Sequence, residues 1–247
     1  MRINASITKS INLIKVKKIL QGADRNTLVI FDIDDVLITP INNHDFWHPN
    51  HEQLLQKIKR QTSNEPMKFL DSISIYTTKY RLVDPEIINI FTYLKEQHIF
   101  TIALTAMGTG SFGVINRLED LRIKTLQDMG IDLTTLATFN EQILANELKG
   151  VNIVFPIAIG IPMLKAGIIF TAGADKGTVL EYMLCKKNYY PKTIIMVDDN
   201  LLNIESLEKL CIKLQINFYG FHYVAVSAMP MLLNIDKKIE KPSFKIS

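Results

Sequence analysis

The sequence contains little cysteine and no long, uninterrupted apolar run. Cys185 and Cys211 are the only cysteines, and without a CxxC pair they form no disulfide framework. We therefore expect a protein of a reducing compartment. The most apolar window, residues 151–170, contains two prolines and a lysine, which argues against a membrane-spanning helix. Two short buried strands joined by a turn fit this window better, and we expect no transmembrane segment.

The chain also lacks a strong excess of charge of either sign. Its formal net charge is +3 over 247 residues, whereas a dedicated nucleic-acid binder is usually strongly basic on one face. We therefore expect no nucleic-acid partner. Residues 1–20 lack the apolar core and the cleavage site of a standard signal peptide, and their apolar residues fit an amphipathic helix. This pattern predicts a cytoplasmic protein, with export through a specialised secretion system as the alternative.

Three short apolar runs share one form, since each is rich in β-branched and aliphatic residues and ends in a polar residue. They are TLVIFD (27–32), HIFTIALT (98–105) and KTIIMVDD (192–199). Such runs are typical of parallel strands that are buried on both faces. Helical patterns lie between or after them, at residues 84–97, 176–188 and 200–215. The alternation predicts a doubly wound, Rossmann-like α/β fold with a parallel sheet.

Two long segments interrupt this alternation, and both exceed the usual connection of about 2–6 residues. They follow the first and the second predicted strand. Long insertions at the carboxyl edge of such a sheet are commonly lids or specificity elements. We therefore divide the chain into a core of residues 1–38, 84–108 and 171–247, a first insertion (lid) of residues 39–83, and a second insertion (cap) of residues 109–170.

Polar side chains stand where the predicted strands end, and parallel strands bring their carboxyl ends to one crevice. In chain order these candidates are Asp32, Asp34, Thr105, Lys176, Asp198 and Asp199. Several carboxylates in one crevice repel one another unless a cation is present. Oxygen ligands select a hard ion, and Mg²⁺ is the usual one beside a phosphate. A carboxylate, a cation, a lysine and a hydroxyl together favour phosphoryl transfer, in which positioning and charge neutralisation dominate.

These candidates follow the order DxDx[TV], then Thr, then Lys, then DD, and each acid comes after an apolar run. This order resembles the haloacid dehalogenase (HAD) superfamily, over roughly residues 25–38, 90–106 and 172–225. The resemblance implies that Asp32 is the nucleophile and forms an aspartyl-phosphate. It also implies that Asp34 is the general acid and then the general base. An acid at this second position is usual in phosphatases of the superfamily and is lacking in its dehalogenases, so the implied reaction is phosphate-ester hydrolysis.

The resemblance also implies how a metal ion and a phosphoryl group are held. The implied ligands of Mg²⁺ are Asp32, the backbone carbonyl of Asp34, Asp198 and, directly or through water, Asp199. The implied ligands of the phosphoryl oxygens are Thr105 and Lys176. One residue departs from the family pattern, because Asp35 stands where glycine is most common. The pattern assigns Asp35 no catalytic role, and a cap of a turn is the simplest interpretation.

Other stretches carry a narrower resemblance. The segments VIFDIDDVL, VDDNLLNIESL and INFYGFHY are similar to a HAD-like phosphatase family found in intracellular bacterial pathogens. Some members of that family are thought to be effectors delivered into host cells. This resemblance implies phosphoprotein substrates, with phosphotyrosine among them.

Two other functions fit the same residues. The first is a phosphatase of small metabolites or nucleotides, which would have a deep, closed pocket under its lid. The second is a receiver-like or catalytically silent module that binds phosphate without turnover. Receiver domains also combine acids, a threonine and a lysine on a parallel sheet, but their phosphorylated acid lies on a later strand. The sequence does not predict the oligomeric state.

Some polar residues have simpler interpretations than a binding role. His44, His48 and His51 suggest a zinc site, but Pro49 interrupts any helix there and no cysteine lies nearby, so a polar lid loop fits better. A second set, Arg117 and Arg122, fits a solvated helix face better than a phosphate-binding role.

Overall fold

The computed structural model describes residues 3–41, 64–136, 142–151 and 159–228. The predictions for His44, His48 and His51 lie outside these described residues. No helix in the described ranges is long and apolar enough to cross a membrane.

These ranges contain ten strands and six α-helices. The strands are β1 (Ala5–Ser10), β2 (Thr27–Phe31), β3 (Ile38–Pro40), β4 (Tyr80–Leu82), β5 (Phe100–Thr105), β6 (Ile143–Leu144), β7 (Met163–Lys165), β8 (Ile168–Phe170), β9 (Thr193–Asp198) and β10 (Asn217–Tyr223). The helices are α1 (Ile14–Leu20), α2 (Asn64–Thr77), α3 (Glu86–Glu96), α4 (Leu118–Asp128), α5 (Lys176–Lys187) and α6 (Leu201–Leu214).

Eight of the strands form one sheet in the order β1-β10-β9-β2-β5-β8-β7-β6. In this order, each strand from β1 as far as β8 is parallel to its neighbour. The last two pairs, β8 with β7 and β7 with β6, are antiparallel. The chain proceeds from β2 through β5 to β8 on one side, then returns past β2 to β9 and β10. The order therefore reverses between β2 and β9, which is where ligands bind in sheets of this type. The predicted doubly wound α/β fold is confirmed.

Apolar layers cover both faces of the sheet, and alternate residues of each strand contribute to opposite layers. Phe31 and Val197 pack in one layer with residues of α1, α3 and α4. Ile30 and Met196 pack in the other layer with residues of α5 and α6. Strands β2 and β9 are thus buried on both faces, which explains their continuous apolar sequences.

The N-terminal segment differs from the predicted amphipathic helix. Its first part is strand β1, which pairs in parallel with β10 from Ala5–Phe218 to Ser10–Tyr223. The helix is shorter and is limited to α1, in which Val16 and Leu20 are buried. Most of β1 is exposed or half-buried, because it forms the edge of the sheet. An edge strand without a buried face gives no clear alternating pattern, so the sequence favoured a helix over the whole segment.

The end of the segment expected as the second insertion joins the central sheet. Strands β7 and β8 form a hairpin, and β8 continues the sheet beside β5. The turn between them contains Ala166 and Gly167, both with positive φ, as two-residue hairpin turns require. Helix α4, in the same segment, buries Leu126 in the core. The two strands predicted within residues 151–170 therefore occur, and they belong to the main sheet. The division of the chain into a core and two insertions stays a prediction.

A separate pair of strands lies at the two ends of the segment expected as the first insertion. β3 and β4 are antiparallel, with Ile38 opposite Leu82 and Pro40 opposite Tyr80. Helix α2 precedes β4, and its buried Ser72 accepts a hydrogen bond from the Val114 amide at 3.0 Å. This contact joins α2 to the loop that leads into α4.

Candidate active site

A buried ion-pair network lies at the carboxyl ends of β2 and β9. Asp32 directly follows β2, and its amide donates to the Val197 carbonyl at 2.9 Å. The ammonium of Lys176 donates to Asp32 Oδ1 at 2.7 Å and to Asp198 Oδ2 at 2.6 Å. All three residues are buried. One lysine thus bridges the carboxylates that end two neighbouring strands.

The start of helix α5 is fixed by contacts that hold Lys176 in this position. Asp175 caps the helix, because its carboxylate accepts a hydrogen bond from the Thr178 amide at 2.8 Å. Ser206 of α6 donates to the same carboxylate at 2.6 Å and accepts from the Gly177 amide at 3.1 Å. A Cβ atom at Gly177 would lie 2.4 Å from Ser206 Oγ, so only glycine allows this approach of α5 and α6. The capped helix therefore directs its first side chain into the crevice.

The loop after β9 is held by two polar residues that the sequence analysis did not identify. Asn203, a buried residue of α6, donates through Nδ2 to Asp198 Oδ1 at 3.0 Å. His222 of β10 is hydrogen-bonded through Nε2 to the backbone carbonyl of Asp199 at 2.9 Å. Asn203 stands four residues before Leu207 and next to Ile204, on the buried face of α6. A polar residue at such an apolar position was the signal in the sequence that could have identified it. Both contacts fix the orientation of adjacent acidic residues.

Three carboxylates in the crevice are close enough to share a metal ion. One oxygen each from Asp32, Asp198 and Asp199 lie within 4.8 Å of one another. Burial raises the pKa of Asp32 to about 7. The positive charge of Lys176 opposes this rise, whereas the negative charges of Asp198 and Asp34 add to it. Burial and the charges of Asp32 and Asp198 likewise raise the pKa of Asp199 to about 8.

The charge of Lys176 alone does not balance this cluster. Its own pKa is raised, because the attraction of Asp198 and Asp32 outweighs the effect of burial. Lys176 is therefore a permanent cation, and the raised pKa of Asp32 and Asp199 reflects their burial first and the remaining repulsion among the acids second. A hard divalent cation with oxygen ligands would remove this repulsion, and the donor set fits Mg²⁺.

Thr105 ends the strand on the other side of β2. It lies two residues beyond Ala103, which pairs with Phe31 immediately before Asp32. The residue is buried, and its Oγ1 accepts a hydrogen bond from the Met107 amide at 3.2 Å. Because a hydroxyl can accept and donate at once, its proton remains available for an anionic oxygen.

Asp34 lies outside the lysine-bridged cluster and has a different partner. Its side chain is 50% exposed, and Arg122 Nη2 of α4 lies 2.9 Å from its Oδ1. The expected solvated helix face is therefore wrong for Arg122, which is buried, and right for Arg117, whose side chain is 57% exposed. Arg122 shares a helix face with the buried Leu118 and Leu126, each four residues away. This spacing was the signal in the sequence that could have identified it.

A cavity of about 380 Å³ lies beside Arg122. It is open to solvent on one side and lies between α2, the start of β4, α4 and Met107. Its lining residues are Ile41, Ile75, Tyr76, Thr78, Lys79, Tyr80, Met107, Leu121, Arg122, Thr125, Asp128 and Met129. Seven of these twelve residues are apolar or aromatic and five are polar or charged, a mixture that can bury an apolar ring and orient it through polar groups.

Asp35 occupies a turn in the left-handed region, with φ of 59°. Its amide donates to the Ile38 carbonyl at 2.8 Å, and its Oδ1 accepts from Thr39 Oγ1 at 2.8 Å. Glycine adopts this conformation without strain, and aspartate is among the few other residues that tolerate it. The turn therefore accounts for the departure from the glycine of the family pattern.

The fold and the crevice define a class of protein: a doubly wound α/β domain with a lysine-bridged acidic site at its switch point. The chain belongs to the family described as "Protein of unknown function (DUF2608)", whose model matches residues 8–245.

Similar proteins occur in two bacteria with curated sequences. An uncharacterised protein of Rickettsia prowazekii (strain Madrid E) is 22% identical over 227 residues, which is 90% of this chain and 78% of that protein. A Chlamydia pneumoniae protein described as "Putative outer membrane protein" is 24% identical over 217 residues, covering 86% of this chain and 76% of that protein.

Among solved structures, a haloacid dehalogenase-like hydrolase family protein of Streptococcus pneumoniae has a TM-score of 0.41 with this chain. The two sequences are 10% identical, and the match covers 78% of this chain and 93% of the other.

Proposed function

We propose that this protein is a Mg²⁺-dependent phosphomonoester hydrolase of the HAD type, with Asp32 as its nucleophile. The observation that carries this proposal is the bridge from Lys176 to Asp32 and Asp198, with an Asp199 oxygen in the same cluster. A buried nucleophile beside a permanent cation and further acids supplies the parts that phosphoryl transfer needs. The order of these residues along the chain supports the same assignment.

In the first half of the reaction, a carboxylate oxygen of Asp32 forms a bond to phosphorus, and the bond from phosphorus to the leaving oxygen breaks. Lys176 and Thr105 hold the phosphoryl oxygens through their ammonium and hydroxyl groups. Asp34 gives its proton to the leaving oxygen, so the alcohol or phenol departs as a neutral molecule.

In the second half, Asp34 takes a proton from a water molecule, whose oxygen attacks the phosphorus of the aspartyl-phosphate. The bond to Asp32 breaks, which restores the carboxylate and releases inorganic phosphate. Asp34 is then protonated, as it was at the start, so the proton balance closes over one cycle.

The acidic cluster would hold the metal ion through Asp32, Asp198 and Asp199, together with the backbone carbonyl of Asp34. When bound, Mg²⁺ supplies positive charge that offsets the negative charge of the phosphoryl group beside these carboxylates. Asn203 keeps the Asp198 carboxylate in place for this role.

The test is hydrolysis of 4-nitrophenyl phosphate by the purified protein with Mg²⁺ or with EDTA. We expect activity only with Mg²⁺, and we expect Asp32→Asn to reduce kcat by about 10³-fold or more, since it removes the nucleophile. The matched control is Asp24→Asn, because Asp24 lies in the exposed loop before β2 and bonds only locally to Asn26 and Thr27 in the contacts described. Full activity of Asp32→Asn would refute the proposal.

We propose that the substrates are phosphoproteins and that the enzyme hydrolyses the phosphate ester of a phosphotyrosine side chain. The cavity beside Arg122 supports this choice, since Tyr76, Met107 and other apolar side chains of its lining suit an aromatic leaving group. Action on host proteins after export stays a prediction from the resemblance to pathogen phosphatases.

A panel of phosphotyrosine peptides, nucleotides and sugar phosphates tests the substrate class. We expect the highest kcat/KM with phosphotyrosine peptides. A preference for nucleotides or sugar phosphates would instead assign the protein to metabolite phosphatases. Stable phosphorylation of Asp32 without turnover would indicate a receiver-like module.

A further inference from the structure

We propose that Arg122 is a positioning residue that holds the Asp34 carboxylate at the edge of the cavity where the leaving group of the substrate lies. This inference rests on the proposed phosphatase activity, in which Asp34 transfers the proton. The sequence pattern that identifies the acidic residues does not include Arg122.

The guanidinium of Arg122 is held on several sides. Its Nη2 pairs with Asp34 at 2.9 Å, its Nε donates to Met107 Sδ at 3.3 Å, and its Cζ lies 4.9 Å from the centre of the Tyr80 ring. The residue is 6% exposed. A planar group with contacts from two loops and a strand has little freedom to turn.

Asp34 needs such support more than the other acids of the crevice. Asp32 and Asp198 are buried and share the ammonium of Lys176, whereas the Asp34 side chain is half exposed. An exposed carboxylate samples several rotamers, and each wrong rotamer removes the acid from the leaving oxygen. A hydrogen bond to a fixed, buried guanidinium selects one orientation.

Arg122 also connects Asp34 to the cavity. The side chain lines this space together with Leu121 and Thr125 of the same helix. Its Nη1 is buried and has no hydrogen-bond acceptor among the described residues. A buried charged donor without an acceptor is unfavourable, so an oxygen of a bound substrate or water would complete its hydrogen bonds. The guanidinium thus contacts the acid and also lines the space proposed for the leaving group.

The consequence for catalysis depends on the leaving group. 4-Nitrophenolate is a weak base and departs readily without a proton, whereas phenolate is a stronger base and gains more from protonation. Phenyl phosphate and 4-nitrophenyl phosphate share the same ring and differ in this property. A residue that acts by placing Asp34 should therefore affect phenyl phosphate more.

The experiment measures kcat/KM of Arg122→Met and Arg122→Lys on both substrates, with Arg117→Met as the control, since Arg117 is the exposed residue immediately before the same helix. We expect Arg122→Met to lower kcat/KM for phenyl phosphate by about 100-fold, in line with the loss of a general acid. The loss for 4-nitrophenyl phosphate should be several times smaller. Arg122→Lys should recover part of the activity, and Arg117→Met should behave as the wild type.

The same variants in an Asp34→Asn background complete a double-mutant cycle. If Arg122 acts through Asp34, Arg122→Met should change kcat/KM by less than about threefold in that background. Equal losses on both substrates, or full additivity with Asp34→Asn, would overturn the inference. Thermal melting of each variant separates these outcomes from misfolding, and Arg122→Lys serves if Arg122→Met does not fold. Activity retained by Asp32→Asn would refute the phosphatase proposal itself, which is a different result.

Discussion

Asn203 illustrates at the residue scale how a neutral side chain can control a charged one. Its amide lies 3.0 Å from one oxygen of Asp198 and 3.3 Å from the other, while the Asn200 amide of the backbone donates to the same carboxylate at 2.8 Å. The partners of metal-binding carboxylates commonly matter almost as much as the ligands, because they set the ligand orientation.

We expect Asn203→Ala to weaken Mg²⁺ binding by about 10-fold or more, since Asp198 loses its fixed orientation. Isothermal titration calorimetry of Mg²⁺ into the metal-free protein measures this change. Asn200→Ala is the matched control: its side chain caps α6 by accepting from the Leu202 amide, so its loss should lower the free energy of unfolding by about 1 kcal/mol. The Mg²⁺ affinity of Asn200→Ala should stay unchanged, and an equal loss in both variants would contradict the assigned role.

The sequence predicted a group of acids, a lysine and a threonine at strand ends, and the structure brings Asp32, Lys176 and Asp198 into contact. Such residues are predictable because each stands at the end of a strand or the start of a helix whose apolar pattern is clear in the sequence. The role of Arg122 was not predictable in the same way. Its partner Asp34 is distant in the chain, and only the packing of α4 beside the loop after β2 brings the two together.

At the scale of elements, a close contact links α2 to the loop before α4. Gly113 has φ of 55°, and a Cβ atom there would lie 2.0 Å from Ser72 Oγ and 2.4 Å from Ser72 Cβ. Phe112, Ile115 and Leu118 form a small apolar cluster in the same region, against which Ile75 of α2 packs. Helix α2 and the loop before α4 thus support each other beside the cavity.

We expect Gly113→Ala to loosen α2, since the new methyl group collides with Ser72 and the backbone is strained. Hydrogen exchange of the α2 amides should show a loss of protection by about 10-fold or more, which corresponds to about 1.4 kcal/mol of local stability. Gly110→Ala is the control, because Gly110 also has positive φ but has no atom within 4 Å of the added Cβ. Equal loss of α2 protection in both variants would point to backbone strain alone.

The elements themselves were predictable to different degrees. Strands β2, β5 and β9 are buried on both faces, so their apolar sequences identify them. β1 was missed because it is an edge strand, and β8 was assigned to the end of an insertion. β8 has only three residues, Ile168–Phe170, and only its pairing with β5 shows that it belongs to the main sheet.

At the scale of the whole molecule, the acidic crevice affects the stability of the fold. In the folded protein the pKa of Asp32 is about 7 and that of Asp199 is about 8, whereas the ordinary pKa of an aspartate side chain is 3.8. Between about pH 4 and 8 the metal-free folded state therefore binds more protons than the unfolded state. Stability contributed by these groups is then lost as the pH rises through this window.

We expect the Tm of the metal-free protein, relative to that of Asp199→Asn, to fall by several degrees from pH 5 to pH 8. The side-chain amide introduced by Asp199→Asn cannot ionise, so the Tm of this variant depends less on pH. Differential scanning calorimetry in EDTA measures both proteins, and saturating Mg²⁺ should remove most of the pH dependence of the wild-type Tm, because the cation offsets the repulsion among the ionised acids. Parallel Tm profiles of the two proteins in EDTA would contradict the expectation.

The pairing of β3 with β4 has a consequence for engineering and for evolution. Pro40 and Tyr80 are neighbours across two antiparallel strands, so the intervening chain begins and ends at one place on the core. Asp32 and Lys176 lie on other elements and do not depend on that segment for their covalent framework. A segment from another protein could be grafted between these two strands, and the losses among the described residues would include the contact of Ser72 with the loop before α4 and the part of the cavity that α2 lines. Because Asp32, Lys176 and Asp198 lie on other elements, the segment between β3 and β4 could be exchanged as a module while the buried ion-pair network stays in place.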